Sequence, residues 1–283
     1  MKTLNIHNSK IYYERIDGDR HAPCIVFLHE GLGCTPMWKT FPQDLCRATG
    51  WRGLVYDRLG HGRSSALVKP RTIHFMHEYA LIELPEVLSR LIPETPYVLV
   101  GHSDGGSIAL IHASEKPPML QAVITEAAHV FVEAVTVDAI QMAGRAFQAG
   151  KLKRLSDYHG DKTDSIFKAW HDIWVSYGFA YWNIEYLLPS IECPLLVMQG
   201  IDDQYGSSDQ VRAIASKVSG KLQTAMIPNC RHVPHNEAPE TTIETMKNFL
   251  MQLDDALPKG KNDGFVKSPD AALRCILRRC GVP

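Results

Sequence analysis

Gly101-His102-Ser103-Asp104-Gly105-Gly106 decides how this chain reads. It follows the apolar run Tyr97-Val98-Leu99-Val100 and precedes the helix-like Ser107-Ile108-Ala109-Leu110-Ile111-His112-Ala113. A strand that turns sharply through a serine and enters a helix is the setting of a nucleophile elbow. The serine there takes a strained backbone conformation that raises its hydroxyl above the sheet. Glycines on either side let strand and helix approach closely. The six residues alone also fit an ordinary glycine-rich turn, so partners elsewhere in the chain must decide.

Outward from this stretch, strands alternate with helices. Lys10 to Ile16, Cys24 to His29, Gly53 to Asp57 and Ala122 to Thr125 read as strands. Residues 74–92 read as a helix, with Leu81, Leu84, Leu88 and Leu91 on one face. From about Val130 to Pro189 the alternation stops and the chain becomes helix-like and rich in aromatics. It resumes with the strand Cys193 to Gly200, a helix at 208–218, the strand Leu222 to Ile227 and a helix from Glu237 to Leu253. Such alternation predicts a mostly parallel sheet covered on both faces, with a helical insertion between two core strands. A polar linker from Pro258 leads into a short basic apolar tail, Ala271 to Cys280.

Bulk composition narrows the class. The chain has 283 residues, 45% hydrophobic and 22% charged, with a net charge of −1. No field of one sign points to nucleic acid or an anionic membrane. Seven scattered cysteines do not form a disulfide framework or a zinc-finger pattern. No signal-like apolar core and no 18-residue apolar run is present in the sequence, so a cytoplasmic protein is expected.

A serine hydroxyl needs an adjacent base, and the base an orienting carboxylate. In this setting the chain order is serine, acid, histidine, all on loops at the carboxyl ends of strands. Gly200-Ile201-Asp202-Asp203-Gln204-Tyr205-Gly206 puts an acidic pair directly after a strand, and adjacent aspartates cannot both face one histidine. Asn229-Cys230-Arg231-His232-Val233-Pro234-His235 follows the next strand and offers two candidate bases. His232, nearer the strand end, is favoured over His235. The oxyanion of a tetrahedral intermediate needs backbone donors. The amide of Asp104 is one, and Gly31 in His29-Glu30-Gly31-Leu32-Gly33 is the expected second.

Taken together, the chain resembles α/β-hydrolase-fold enzymes of the serine esterase kind over roughly residues 10–253. The resemblance rests on His29 to Gly33, Asp57-Arg58-Leu59-Gly60-His61-Gly62-Arg63-Ser64, Gly101 to Gly106, Gly200 to Asp203, and His232 with Pro239. It implies an α/β class: a mostly parallel sheet flanked by helices, with residues 1–129 and 190–257 as core. Residues 130–189 become a helical lid, and 258–283 a C-terminal tail. It implies Ser103 as nucleophile, Asp203 rather than Asp202 as acid, His232 as base, and no cofactor or metal. The Asp57 to Ser64 turn becomes structural. Where many members have His-Gly, this chain has His29-Glu30-Gly31, so Glu30 either shapes the loop or binds a donor group of the substrate.

Phe167, Trp170, Trp174 and Tyr177 are spaced for one helical face, and Trp170 and Trp174 are expected to line an apolar substrate pocket. The expected activity is hydrolysis of a small carboxylic ester through an acyl-enzyme. The rival readings are a carbon–carbon bond hydrolase of ring-cleavage products and a ligand-binding receptor that retains the triad. The expected partner is a small-molecule ester, with no nucleic acid or membrane, in a monomer or homodimer.

Overall fold

A computed structural model describes residues 2–6 and 8–256, so the expected tail at 258–283 lies outside the described residues. The strands are β1 (Thr3–Ile6), β2 (Ser9–Ile16), β3 (Cys24–Leu28), β4 (Gly53–Tyr56), β5 (Tyr97–His102), β6 (Leu120–Glu126), β7 (Leu195–Gly200) and β8 (Leu222–Ile227). They form an eight-stranded sheet in the order β1-β2-β4-β3-β5-β6-β7-β8. The pairs β1–β2 and β2–β4 are antiparallel and all others parallel. The short edge strand β1 was not foreseen.

The helices are α1 (Phe41–Thr49), α2 (Phe75–Glu78), α3 (Leu84–Leu91), α4 (Asp104–Ser114), α5 (Ala134–Gln148), α6 (Ser156–His159), α7 (Thr163–Trp174), α8 (Ser208–Lys217), α9 (Pro234–Glu237) and α10 (Pro239–Ala256). Successive strand residues point to opposite faces. Val26 and Leu28 therefore join Leu54, Leu99 and Val123 in a core beneath α3, α4 and α8. Ile25 and Phe27 join Val55, Val98 and Ile124 in a second core beneath α1 and α10. Continuous apolar strands such as Cys24–Leu28, buried at every position, are the signature of a sheet covered on both sides. Between β6 and β7 the chain is helical, with α5, α6 and α7 separated by short turns.

Two expectations fail locally. The helix expected at 74–92 is interrupted by a π turn at Tyr79–Glu83. Its extra residue per turn shifts the phase. Leu81 is 40% exposed while Ala80 and Leu84 are buried. The turn also brings Glu83 inward, where Oε2 accepts the Leu59 N–H at 2.9 Å. The second failure is Tyr177: α7 ends at Trp174, so Tyr177 leaves the shared face, is 81% exposed and pairs with Tyr181.

Burial pushes the Glu83 carboxyl up to about 7, with the Leu59 N–H and the charges of Arg58 and Arg71 opposing. An acid whose folded value lies above its unfolded value holds its proton more tightly when folded. Its contribution is complete at acid pH and is lost as pH rises from about 4.5 to about 7. Glu83→Gln keeps an acceptor for Leu59 without the charge. Stability measured at pH 5 and pH 8 should show the wild type losing about 2.5 kcal/mol relative to this variant. Parallel pH profiles would contradict the assignment.

Candidate active site

Ser103 sits between β5 and α4 with φ 53° and ψ −119°, a conformation outside the ordinary regions for a residue with a side chain. Neighbouring backbone enforces it. A Cβ on Gly105 would overlap the Leu28 carbonyl, and one on Gly101 would overlap the Gly105 carbonyl. Gly105→Ala is thus expected to destabilise by about 1–3 kcal/mol, the usual range for overpacking. An unchanged melting temperature would show that the elbow tolerates a methyl group.

The acid and the histidine arrive on adjacent strand ends. His232 Nε2 lies 3.0 Å from Ser103 Oγ. His232 Nδ1 lies 2.8 and 3.0 Å from the two oxygens of Asp203. An Nδ1–H donating to Asp203 leaves the Nε2 lone pair facing the serine hydroxyl. Burial raises the Asp203 carboxyl, but the hydrogen bond and charge of His232 and the Tyr205 N–H outweigh this and hold it below its ordinary value. Asp203 also accepts from Tyr205 N at 2.8 Å and Gln199 Nε2 at 3.1 Å, while Asp202 is exposed. His235, the alternative base, is turned away: its Nδ1 and its backbone N both lie 3.0 Å from Glu126 Oε2. His102 Nε2 donates to the His232 carbonyl at 2.8 Å, which steadies the loop from below.

Gly31 and Asp104 present the backbone N–H groups nominated for an oxyanion. Among the described residues neither N–H has an acceptor. The next amide along, Leu32 N–H, is taken by Glu30 Oε2 at 2.7 Å. Glu30 thus shapes the loop, though it also borders the cavity. Burial raises its carboxyl above the ordinary value, against the Leu32 N–H. Burial likewise raises the Asp104 carboxyl, opposed by Arg58, Arg71 and Trp174. Trp170 packs directly on Gly31, leaving no room for a side chain there.

The Asp57 to Ser64 turn holds itself together: Asp57 accepts Thr35 N at 2.6 Å and Arg63 N at 2.7 Å. The helical insertion is fastened to this turn and to the oxyanion loop. Gly62 N–H donates to His159 Nδ1 at 2.9 Å, His159 Nε2 donates to the Leu32 carbonyl at 2.8 Å, and Lys162 Nζ donates to the Gly62 carbonyl at 2.7 Å. Ser103 and His232 open into a cavity of about 730 Å³ between the loop and the insertion. Trp170 and Trp174 of α7 and Ala139, Met142, Ala143 and Ala146 of α5 line it. His129, just past β6, was missed in the sequence. It is buried in the cavity wall, its ring centroid 6.0 Å from that of His232. Burial, then the charge of His232, lowers its pKa to about 4. Its place just past a strand end was the available signal.

A mostly parallel sheet with a serine at the turn after β5 and an aspartate and a histidine after β7 and β8 is the arrangement of a hydrolase-type α/β protein. The family model for the alpha/beta hydrolase family matches residues 25–245, and the chain belongs to that family. Among sequence relatives it is 24% identical over 268 residues to the sn-1-specific diacylglycerol lipase ABHD11 of Mus musculus, covering 84% of each chain. It is 21% identical to the monoglyceride lipase homolog of Monkeypox virus, covering 87% of this chain and 95% of that one. Among solved structures, VinJ superposes with a TM-score of 0.68 at 23% identity, covering 89% of this chain and 98% of that one. No helix among the described residues is long and apolar enough to cross a membrane.

Proposed function

We propose that the protein is a serine hydrolase that cleaves a carboxylic ester through an acyl-enzyme. The observation that carries this is the continuous contact from Asp203 through His232 to Ser103 at the floor of an apolar cavity. His232 removes the proton as Ser103 Oγ attacks the carbonyl carbon. The developing oxyanion is held by the N–H groups of Gly31 and Asp104. His232 then returns the proton to the leaving alcohol, and water repeats the sequence on the acyl-enzyme. Asp203 keeps the imidazole in the tautomer that accepts from serine.

Residues 130–189 serve as a lid in this reading, with α5 and α7 roofing the cavity. Water-poor apolar walls around few polar groups favour an uncharged acyl group and strengthen the electrostatics at the reacting centre. The lipase names of the sequence relatives support an ester as substrate. Fluorophosphonate labelling with mass mapping, followed by a series of chromogenic esters graded in acyl size, tests the proposal. An adduct on Ser103 and release of alcohol over many turnovers are expected. An unlabelled Ser103, or a single stalled adduct on ester substrates, overturns it.

A further inference from the structure

We propose that Arg58 is a positioning residue of the reaction, aiming the Gly31 N–H at the oxyanion from behind the peptide plane. The inference rests on the hydrolase reading above. Arg58 is 1% exposed, and burying a guanidinium is costly unless its donors are used. One terminal nitrogen donates to the His29 carbonyl and the other to the Glu30 carbonyl, the latter at 2.8 Å. A cation this deep is therefore spent on two consecutive carbonyls of the oxyanion loop.

Peptide geometry makes the Glu30 carbonyl informative. In a trans peptide the C=O of one residue and the N–H of the next point in opposite directions in one rigid plane. Fixing the Glu30 oxygen thus fixes the direction of the Gly31 N–H. Three donors converge on that oxygen: Arg58 Nη2, His29 Nδ1 at 2.8 Å and Gly33 N at 3.1 Å. Arg58 also selects the His29 tautomer. Its backbone N–H donates to His29 Nε2 at 3.1 Å, which leaves the ring proton on Nδ1 for Glu30. That tautomer requires a neutral ring, and burial followed by the charge of Arg58 holds His29 well below its ordinary pKa. Hydrogen bonds to a carbonyl also polarise the amide sharing its plane, so the Gly31 N–H becomes a stronger donor.

The role predicts where a substitution is felt. The substrate ground state makes little use of the oxyanion donors, so loss of aim appears in kcat and not in KM. With 4-nitrophenyl butyrate, Arg58→Met should lower kcat by about 10²–10³, the loss typical of one oxyanion donor. KM should stay within about threefold, and affinity for phenylboronic acid, which forms a tetrahedral adduct on serine, should fall alongside kcat. Arg58→Lys keeps the charge and one donor to the loop and should recover at least about tenfold of the lost kcat. Should the methionine variant not fold, the lysine variant decides alone: kcat about tenfold or more below wild type at unchanged KM supports the role. Wild-type kcat in a folded methionine variant overturns it, as does wild-type kcat in the lysine variant where methionine does not fold, or a lysine variant no better than methionine with kcat and KM altered together. Turnover by wild type with Arg58→Met at full kcat sinks this inference alone. A wild type that neither labels at Ser103 nor turns over esters sinks the hydrolase reading and this one with it.

Discussion

Ser103→Ala is expected to abolish ester turnover, with kcat falling by about 10⁴–10⁶, the range seen when a serine nucleophile is removed from an intact triad. The fold should survive. The left-handed backbone at φ 53° is imposed by the approach of α4 to β3 and β5, and alanine pays the same strain as serine there. What is lost is the hydroxyl oxygen placed 3.0 Å from His232 Nε2, the nucleophile of the proposed reaction. Steady-state assays, paired with melting curves, check this. A variant that keeps more than about a tenth of the rate refutes the nucleophile assignment.

Asp203→Asn should cost about 10⁴ in kcat at nearly constant fold stability. An asparagine amide facing His232 Nδ1 can donate to it, which favours the tautomer with its proton on Nε2. That proton then points at Ser103 and the base is lost. Asp202→Asn is the internal control, because Asp202 is exposed while Asp203 Oδ1 sits 2.8 Å from the imidazole. Its kcat should stay within a few-fold of wild type. If Asp202→Asn proved the damaging change, the carboxylate would have to be reassigned and the loop redrawn.

These two substitutions fall on residues that could be read from the chain because each is announced locally. Ser103 lies between glycines after an apolar run, and Asp203 and His232 follow β7 and β8, the last two strands on that side of the sheet. Strand-end position is a one-dimensional signal, and the alternation of strand and helix carries it. What the chain did not announce depends on distant partners. The π turn that turns Leu81 outward and Glu83 inward answers to Leu59, twenty-four residues away. Arg58 read as part of a structural turn, since nothing in its neighbourhood points to the carbonyls of His29 and Glu30. The fate of Tyr177 depended on where α7 stops, and helix ends are the least certain bounds in any such reading.

His159 ties the helical insertion to the Leu32 carbonyl beside Gly31, and Lys162 ties it to the Gly62 carbonyl of the Asp57 to Ser64 turn. That corner of the insertion cannot lift without breaking these hydrogen bonds, so it is anchored at both the turn and the loop. Along α5, Val135 and Met142 line the same cavity and are 41% and 62% exposed, so this side of it meets solvent.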